Sequence, residues 1–148
     1  GACAQLKALD IPFEAHILSA HRTPAGAAEF AKSARANGFG VILCAAGMAA
    51  HLPGMCAALF PMPVVGVPLS GSKLDGMDAV FSIMQMPPGV PVATVAIDGG
   101  MNAAIMAAKI LAVSDAELLE KLKAYTVEMK EAVQAKAARL DEVGYEAY

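Results

Sequence analysis

The chain has 148 residues, enough for one domain with a full core, and its 11 basic and 14 acidic residues leave a formal charge of −3. No basic cluster supplies an electrostatic footprint, which excludes nucleic acid as an expected partner. Cys3, Cys44 and Cys56 are an odd set without paired or metal-like spacing, so reduced thiols in a cytoplasmic protein are expected, with Cys44 and Cys56 as small core residues.

Hydrophobic residues make up 57% of the chain, yet aromatics are 5% and tryptophan is absent, so the apolar content is largely alanine, valine and methionine. Such a composition predicts closely packed layers and apolar surface hidden between subunits. The stretch from Val41 to Ser72 lacks Asp, Glu, Lys and Arg, but Pro53, Pro61, Pro63 and Pro68 interrupt it and His51 lies within it. It therefore reads as strand, helix and strand, and no membrane partner is expected.

Ala2 to Leu9 reads as a helix ended by the turn Asp10-Ile11-Pro12. Phe13 to Leu18 is expected as a short strand running into Ser19-Ala20-His21-Arg22-Thr23-Pro24. Pro24 suits the first turn of a helix, because its missing N–H costs nothing there, and Ala27, Phe30, Ala31 and Ala34 give that helix an apolar face up to Asn37-Gly38. Val41 to Ala45 is an unbroken apolar run, as expected of a strand covered on both faces. The small-residue loop Ala46 to Gly54 opens a helix through about Phe60.

Met62 to Pro68 reads as a further strand and Leu69 to Leu74 as a polar loop. Asp75 is expected to cap a helix from Gly76 to about Met86, stopped by Pro87-Pro88-Gly89. Val90 to Ile97 is the last expected strand, and Asp98-Gly99-Gly100 turns into an alanine-rich helix from Met101 to Ala112. Ser114-Asp115-Ala116-Glu117 reads as a capping box for a helix to about Glu142, with Leu118, Leu122, Tyr125, Met129, Val133, Ala137 and Leu140 on a narrow stripe. Strand and helix alternate, so the fold class is α/β with a parallel, doubly covered sheet.

In such sheets ligands bind beyond the carboxyl ends of the strands. Ser19 to Arg22 and Ala46 to His51 both follow expected strand ends, so they share that edge. An imidazole beside a permanent cation suits a phosphorylated substrate whose reaction moves a proton. Two readings of His21 stand at this point, an acid–base group and a turn histidine bonded to nearby backbone. The loop from Ala46 is open in the same way. Its backbone amides could approach an anion or a polarised carbonyl at a helix N-terminus, or it could be a tight structural turn, with His51 an ordinary interior histidine. Asp75, Asp78 and Asp98 lack metal-like spacing and read as helix-start and turn residues.

Several stretches resemble one family: Ser19-Ala-His-Arg-Thr-Pro, Ala49-Ala-His-Leu-Pro-Gly-Met, Val64-Val-Gly-Val-Pro, Gly76-Met-Asp-Ala-Val-Phe-Ser-Ile-Met-Gln-Met-Pro, Gly89-Val-Pro-Val-Ala-Thr and Asn102-Ala-Ala. They are similar, in order and over nearly the whole chain, to the bacterial-type 5-(carboxyamino)imidazole ribonucleotide mutases of purine biosynthesis. The resemblance implies a flavodoxin-like three-layer α/β/α fold with a parallel sheet and a long C-terminal helix, assembled as a cytoplasmic homo-octamer with sites at subunit junctions. It implies an isomerase that moves a carboxylate from an exocyclic nitrogen to a ring carbon of a small ribonucleotide, with no cofactor and no metal.

By the same resemblance His21 is the catalytic acid and base, Ser19 and Arg22 contact the substrate phosphate, and Ala46, Gly47, Met48 and His51 line the aminoimidazole. Met48 stands where a second glycine is commoner, so a backbone contact alone carries over there. Gln85-Met86-Pro87 is expected to serve a neighbouring subunit's site. Family members begin with a strand and a Gly-Ser-x-Ser-Asp loop, so residues 1–148 are expected to be a single mutase domain that is N-terminally incomplete, its first, central strand absent. Two rivals remain. One is a carboxylase that adds carbon dioxide directly to aminoimidazole ribonucleotide, although those chains tend to carry Lys at the position of Arg22 and an Arg-Ser-Asn loop at Ala49 to His51. The other is a non-catalytic nucleotide-binding module.

Overall fold

Val64-Val-Gly-Val-Pro68 forms a strand buried at every residue, and the rest of the α/β part is layered around it. In the computed structural model, which describes residues 1–148, the elements in order are α1 (Ala2–Ala8), α2 (Pro24–Ser33), β1 (Ile42–Ala46), α3 (Leu52–Leu59), β2 (Val64–Pro68), α4 (Met77–Met84), β3 (Ala93–Thr94), α5 (Gly100–Leu111) and α6 (Ala116–Val143). The chain forms two compact units, Gly1–Leu111 and Ala112–Tyr148.

The sheet of the first unit is parallel with order β1-β2-β3, Ile42 standing opposite Val64 and Val65 opposite Ala93. Alternation along the strands sends side chains to two faces. Leu43, Val65 and Val67 pack with Ala103 and Ile110 of α5, and α1 packs in turn on α5. Ile42, Cys44 and Val64 face α2 and α3 through Ala31, Ala34, Cys56 and Phe60. Helices thus cover both faces, giving the three-layer arrangement. Removing a valine side chain from water contributes about 1.5–3 kcal/mol, so Val64, Val65 and Val67 are a large part of what holds the sheet. The alanines Ala103, Ala104, Ala107 and Ala108 are all buried and let α5 approach the strands closely.

Cys44 and Cys56 are free thiols inside this core. The Cys56 thiol facing it, and then burial, push the Cys44 thiol well above the usual range, as expected of inert core cysteines.

Four details differ from the sequence expectations. Residues 11–18 are not a strand: they form no ladder, and Ile17 is fully exposed. An alternating pattern meets only one requirement of a strand, the other being a neighbour for its N–H and C=O groups, and the sheet here begins at β1, paired with β2. The last strand is pared from eight residues to Ala93–Thr94, since Pro91 has no N–H to give, although Val95 N still donates to Gly66 O at 3.1 Å. Asp75 does not cap α4. It lies at φ 49°, outside the extended range an N-cap needs, and Ser72 organises that turn by donating to Asp78 at 2.8 Å and accepting from Leu74 N at 3.2 Å. The cap of α6 is Asp115 rather than Ser114, its carboxylate accepting from Leu118 N at 3.0 Å.

The second unit is dominated by the 28-residue α6. Lys121 to Glu117 at 3.2 Å and Lys123 to Glu120 at 2.7 Å are exposed pairs one turn apart, each contributing about 0.3–0.5 kcal/mol. Met129, Val133 and Leu140 of the expected stripe are exposed. No helix is long and apolar enough to cross a membrane.

Candidate active site

The carboxyl ends of β1, β2 and β3 lead into three loops that are tied together by backbone bonds. Leu69 N donates to Ala46 O at 2.9 Å, and Asp98 N donates to Pro68 O at 2.8 Å. Gly47 lies close enough to Leu69 that a Cβ would sit 3.6 Å from its Cβ. Met48 follows in the left-handed region at φ 56°, with its side chain exposed. Ala50 is buried, and His51 stands at the N-terminus of α3 with its ring exposed and its carbonyl accepting from Met55 N at 3.1 Å.

The second piece comes from the turn before α2. Thr23 N donates to Ser19 O at 2.8 Å, the Thr23 hydroxyl donates to the same oxygen at 3.0 Å, and Ser19 N donates back to that hydroxyl at 3.0 Å. Ser19 Oγ accepts from Arg22 N at 3.1 Å. This closed turn leaves His21 and Arg22 exposed, and Arg22 is in no ion pair. A serine oxygen that accepts from backbone keeps its O–H free to donate, so Ser19 and Arg22 together offer two donors to an anion.

The two pieces meet at their histidines. The rings of His21 and His51 lie 5.1 Å apart between centroids, tilted by 33°. The expectation that both loops follow strand ends holds for Ala46 to His51 and not for Ser19 to Arg22, which no strand precedes, yet the two histidines, 30 positions apart in sequence, come together. Beneath His51, between α3, α4 and the segment after α4, is a cavity of about 440 Å³, lined by Ala50, His51, Gly54, Met55, Ser82 and Met86, with Pro87 and Val90. Its walls are apolar apart from the imidazole and the Ser82 hydroxyl. Ala46 and Gly47 do not line it, and neither do Ser19, His21 and Arg22. Met86 and Pro87 line it within the same chain as His51.

Ser70 and Asp98 form an edge pair that sequence reading did not single out. Ser70 Oγ donates to Asp98 at 2.5 Å and Ser70 N at 3.1 Å. The hydroxyl first, and the backbone N–H second, hold the Asp98 carboxyl below the usual carboxylate range. The available signal was position, since both follow strand ends closely. Asp78 and Asp98 are each taken up by a serine of the 70–72 loop, consistent with turn roles.

Residues 1–132 match the family described as AIR carboxylase. The chain belongs to the AIR carboxylase family. Among its relatives, the N5-carboxyaminoimidazole ribonucleotide mutase of Pyrococcus horikoshii is 50% identical over 97% of this chain and 81% of its own length. That of Thermotoga maritima is 50% identical over 97% of this chain and 84% of its own. The phosphoribosylaminoimidazole carboxylase of Saccharomyces cerevisiae is 51% identical over 99% of this chain, which spans 26% of that longer protein. The crystal structure of Treponema denticola PurE superposes with a TM-score of 0.82 at 24% identity, covering 97% of this chain and 87% of that one, and shares the flavodoxin-like fold. The His51 loop leaves the carboxyl end of β1, the edge at which α/β sheets bind ligands, and His21 reaches it from the turn before α2.

Proposed function

We propose that the chain is an isomerase of purine biosynthesis, converting 5-(carboxyamino)imidazole ribonucleotide to 4-carboxy-5-aminoimidazole ribonucleotide. The observation that carries the reading is the exposed His21 ring lying 5.1 Å from that of His51, next in sequence to an Arg22 in no ion pair, in a chain half identical to mutases over nearly its full length. The carbamate C–N bond breaks, its electron pair stays on the exocyclic nitrogen, and His21 delivers a proton there. The ring carbon then attacks the released carbon dioxide, and its proton returns to His21. One group serves both transfers because imidazole is competent as acid and as base near neutrality, a contribution of about 10²–10⁴-fold.

Arg22 and the Ser19 hydroxyl hold the phosphate, so binding energy far from the reacting atoms fixes the heterocycle against His21. The backbone of Ala46, Gly47 and Met48, with His51, forms the wall against which the ring lies. His51 orients the His21 ring by contact.

We read the working form as a cytoplasmic homo-octamer. Three free thiols support the compartment. Exposed Met77, Phe81 and Met84 on α4, and Val127, Met129 and Val133 on α6, supply apolar surface for subunit contacts. A stable monomer in sedimentation at micromolar concentration would count against the assembly.

The carboxylase reading is supported by the identity to the yeast enzyme and by the description of the matching family. Separate assays decide between them, one supplied with the carbamate nucleotide and one with aminoimidazole ribonucleotide plus bicarbonate. Efficient product formation in the first supports the mutase, and formation in the second alone overturns it.

A further inference from the structure

Three hydrogen bonds join Asp98 to the residues on either side of Leu69. The Asp98 carboxylate accepts from the Ser70 hydroxyl at 2.5 Å and from Ser70 N at 3.1 Å, and Asp98 N donates to Pro68 O at 2.8 Å. Leu69 is the residue of this loop that meets the site. Its N donates to Ala46 O at 2.9 Å, and a Cβ on Gly47 would lie 3.6 Å from its Cβ and 3.6 Å from its carbonyl oxygen. Asp98 makes these bonds at φ 56°, a left-handed conformation that crowds a residue with a Cβ. Asp98, Ser70 and Leu69 are all exposed, so beyond the buried Pro68 the course of the loop rests on the bonds to Asp98. A carboxylate serving only its own turn would bond to near neighbours, and Ser70 is 28 positions away.

We propose that Asp98 is a positioning residue for the reaction, setting Leu69 through Ser70 against Ala46 and Gly47 and thereby fixing the wall on which the heterocycle lies. The inference rests on the mutase reading. There one imidazole serves two atoms in turn, the exocyclic nitrogen and the ring carbon, so the heterocycle must present both to His21. A misplacement of about 1 Å can cost about 10²-fold in rate. Affinity comes instead from the phosphate, held by Ser19 and Arg22 on the turn before α2. That turn closes on its own hydrogen bonds, without Asp98. Loss of the Asp98 tie therefore acts on turnover and spares binding.

The test compares the parent with Asp98→Gly, Asp98→Asn and Ser70→Ala, each supplied with the carbamate nucleotide. Glycine accepts the left-handed backbone and removes the carboxylate, whereas asparagine accepts it and can still pair with both Ser70 groups. Values of kcat and KM are taken per folded enzyme, well below the melting temperature. The expected result is a kcat lower by roughly tenfold in Asp98→Gly with KM within about twofold, since only the placement of the ring is lost. Asp98→Asn restores at least half of the parent kcat, and Ser70→Ala falls between. A merely structural role would lower the melting temperature and leave both constants of the folded enzyme unmoved. Should Asp98→Gly not fold, Ser70→Ala carries the same test with the Asp98 backbone untouched. Parent-like kcat in these variants, or a raised KM with kcat unchanged, overturns the proposal. A parent that turns over only aminoimidazole ribonucleotide plus bicarbonate removes the mutase reading and the inference with it, a pattern distinct from the former.

Discussion

His21 and His51 come from loops after different parts of the chain and end with ring centroids 5.1 Å apart. Because His21 is exposed and makes no hydrogen bond that the fold depends on, its role separates cleanly from stability. His21→Asn is expected to lower turnover by about 10²–10⁴-fold while leaving the unfolding free energy within about 0.5 kcal/mol of the parent. Steady-state kinetics with a parallel denaturant melt check both halves. Near-normal turnover would remove His21 from the proton transfers.

Met48→Gly sets two effects against each other. A left-handed conformation costs a residue with a Cβ roughly 1–2 kcal/mol, and glycine removes that cost. Glycine also loses about 0.5–1 kcal/mol more backbone entropy on folding. Strain relief is the larger effect, so the variant is expected to be more stable by up to about 1 kcal/mol, a rise of roughly 2–4 °C in melting temperature for a chain of this size. A lower melting temperature would show that the methionine makes a stabilising contact.

The fold class was legible because α/β chains write it in apolar runs and breakers. Val64 to Pro68 has no polar residue, and it is the strand with both faces covered. The approach of His21 and His51 was expected from both loops following strand ends, and that reason holds only for the loop from Ala46, which follows β1, since no strand precedes Ser19. What failed was pairing. Phe13 to Leu18 alternates like a strand, but a strand is a relation between two segments, and one segment's sequence does not reveal its partner. Caps failed on a smaller scale. Asp75 and Ser114 are good capping types, yet the backbone at Asp75 turned left-handed and the α6 cap fell to Asp115, differences of one residue that propensity does not resolve.

Gly66 tests how closely the layers are packed. A Cβ there would fall inside the contact distance of Ile83 Cγ2 and lie 3.0 Å from Val92 Cγ1. Ile83 is fully buried and Gly66 sits in the middle of β2, so Ile83, the nearer neighbour, has no room to move aside, whereas Val92 is only half-buried. Gly66→Ala is expected to destabilise by about 1–3 kcal/mol, the usual cost of overpacking a tight core. Chemical denaturation measures it, and a neutral result would mean that α4 is less firmly docked on the sheet than the geometry indicates.

Asp98 gives the pH prediction. Its carboxylate accepts from the Ser70 hydroxyl at 2.5 Å and from Ser70 N at 3.1 Å, tying the loop after β2 to the loop after β3. These donors favour the ionised form, so the folded-state pKa lies below the unfolded one. A group depressed in this way contributes its stability in full above the ordinary carboxylate pKa and loses it as pH falls through the folded value, because the unfolded chain then binds the proton more readily. The parent should therefore lose stability on acidification below the usual aspartate range. Asp98→Asn keeps an oxygen for Ser70 N and tolerates the left-handed backbone at φ 56°, but cannot titrate. Melting curves taken downward from neutral pH should show a shallower acid decline in the variant. Parallel declines in the two proteins would mean that the Ser70–Asp98 tie does not favour the charged form, and that the two loops are held by the Asp98 N to Pro68 O bond alone.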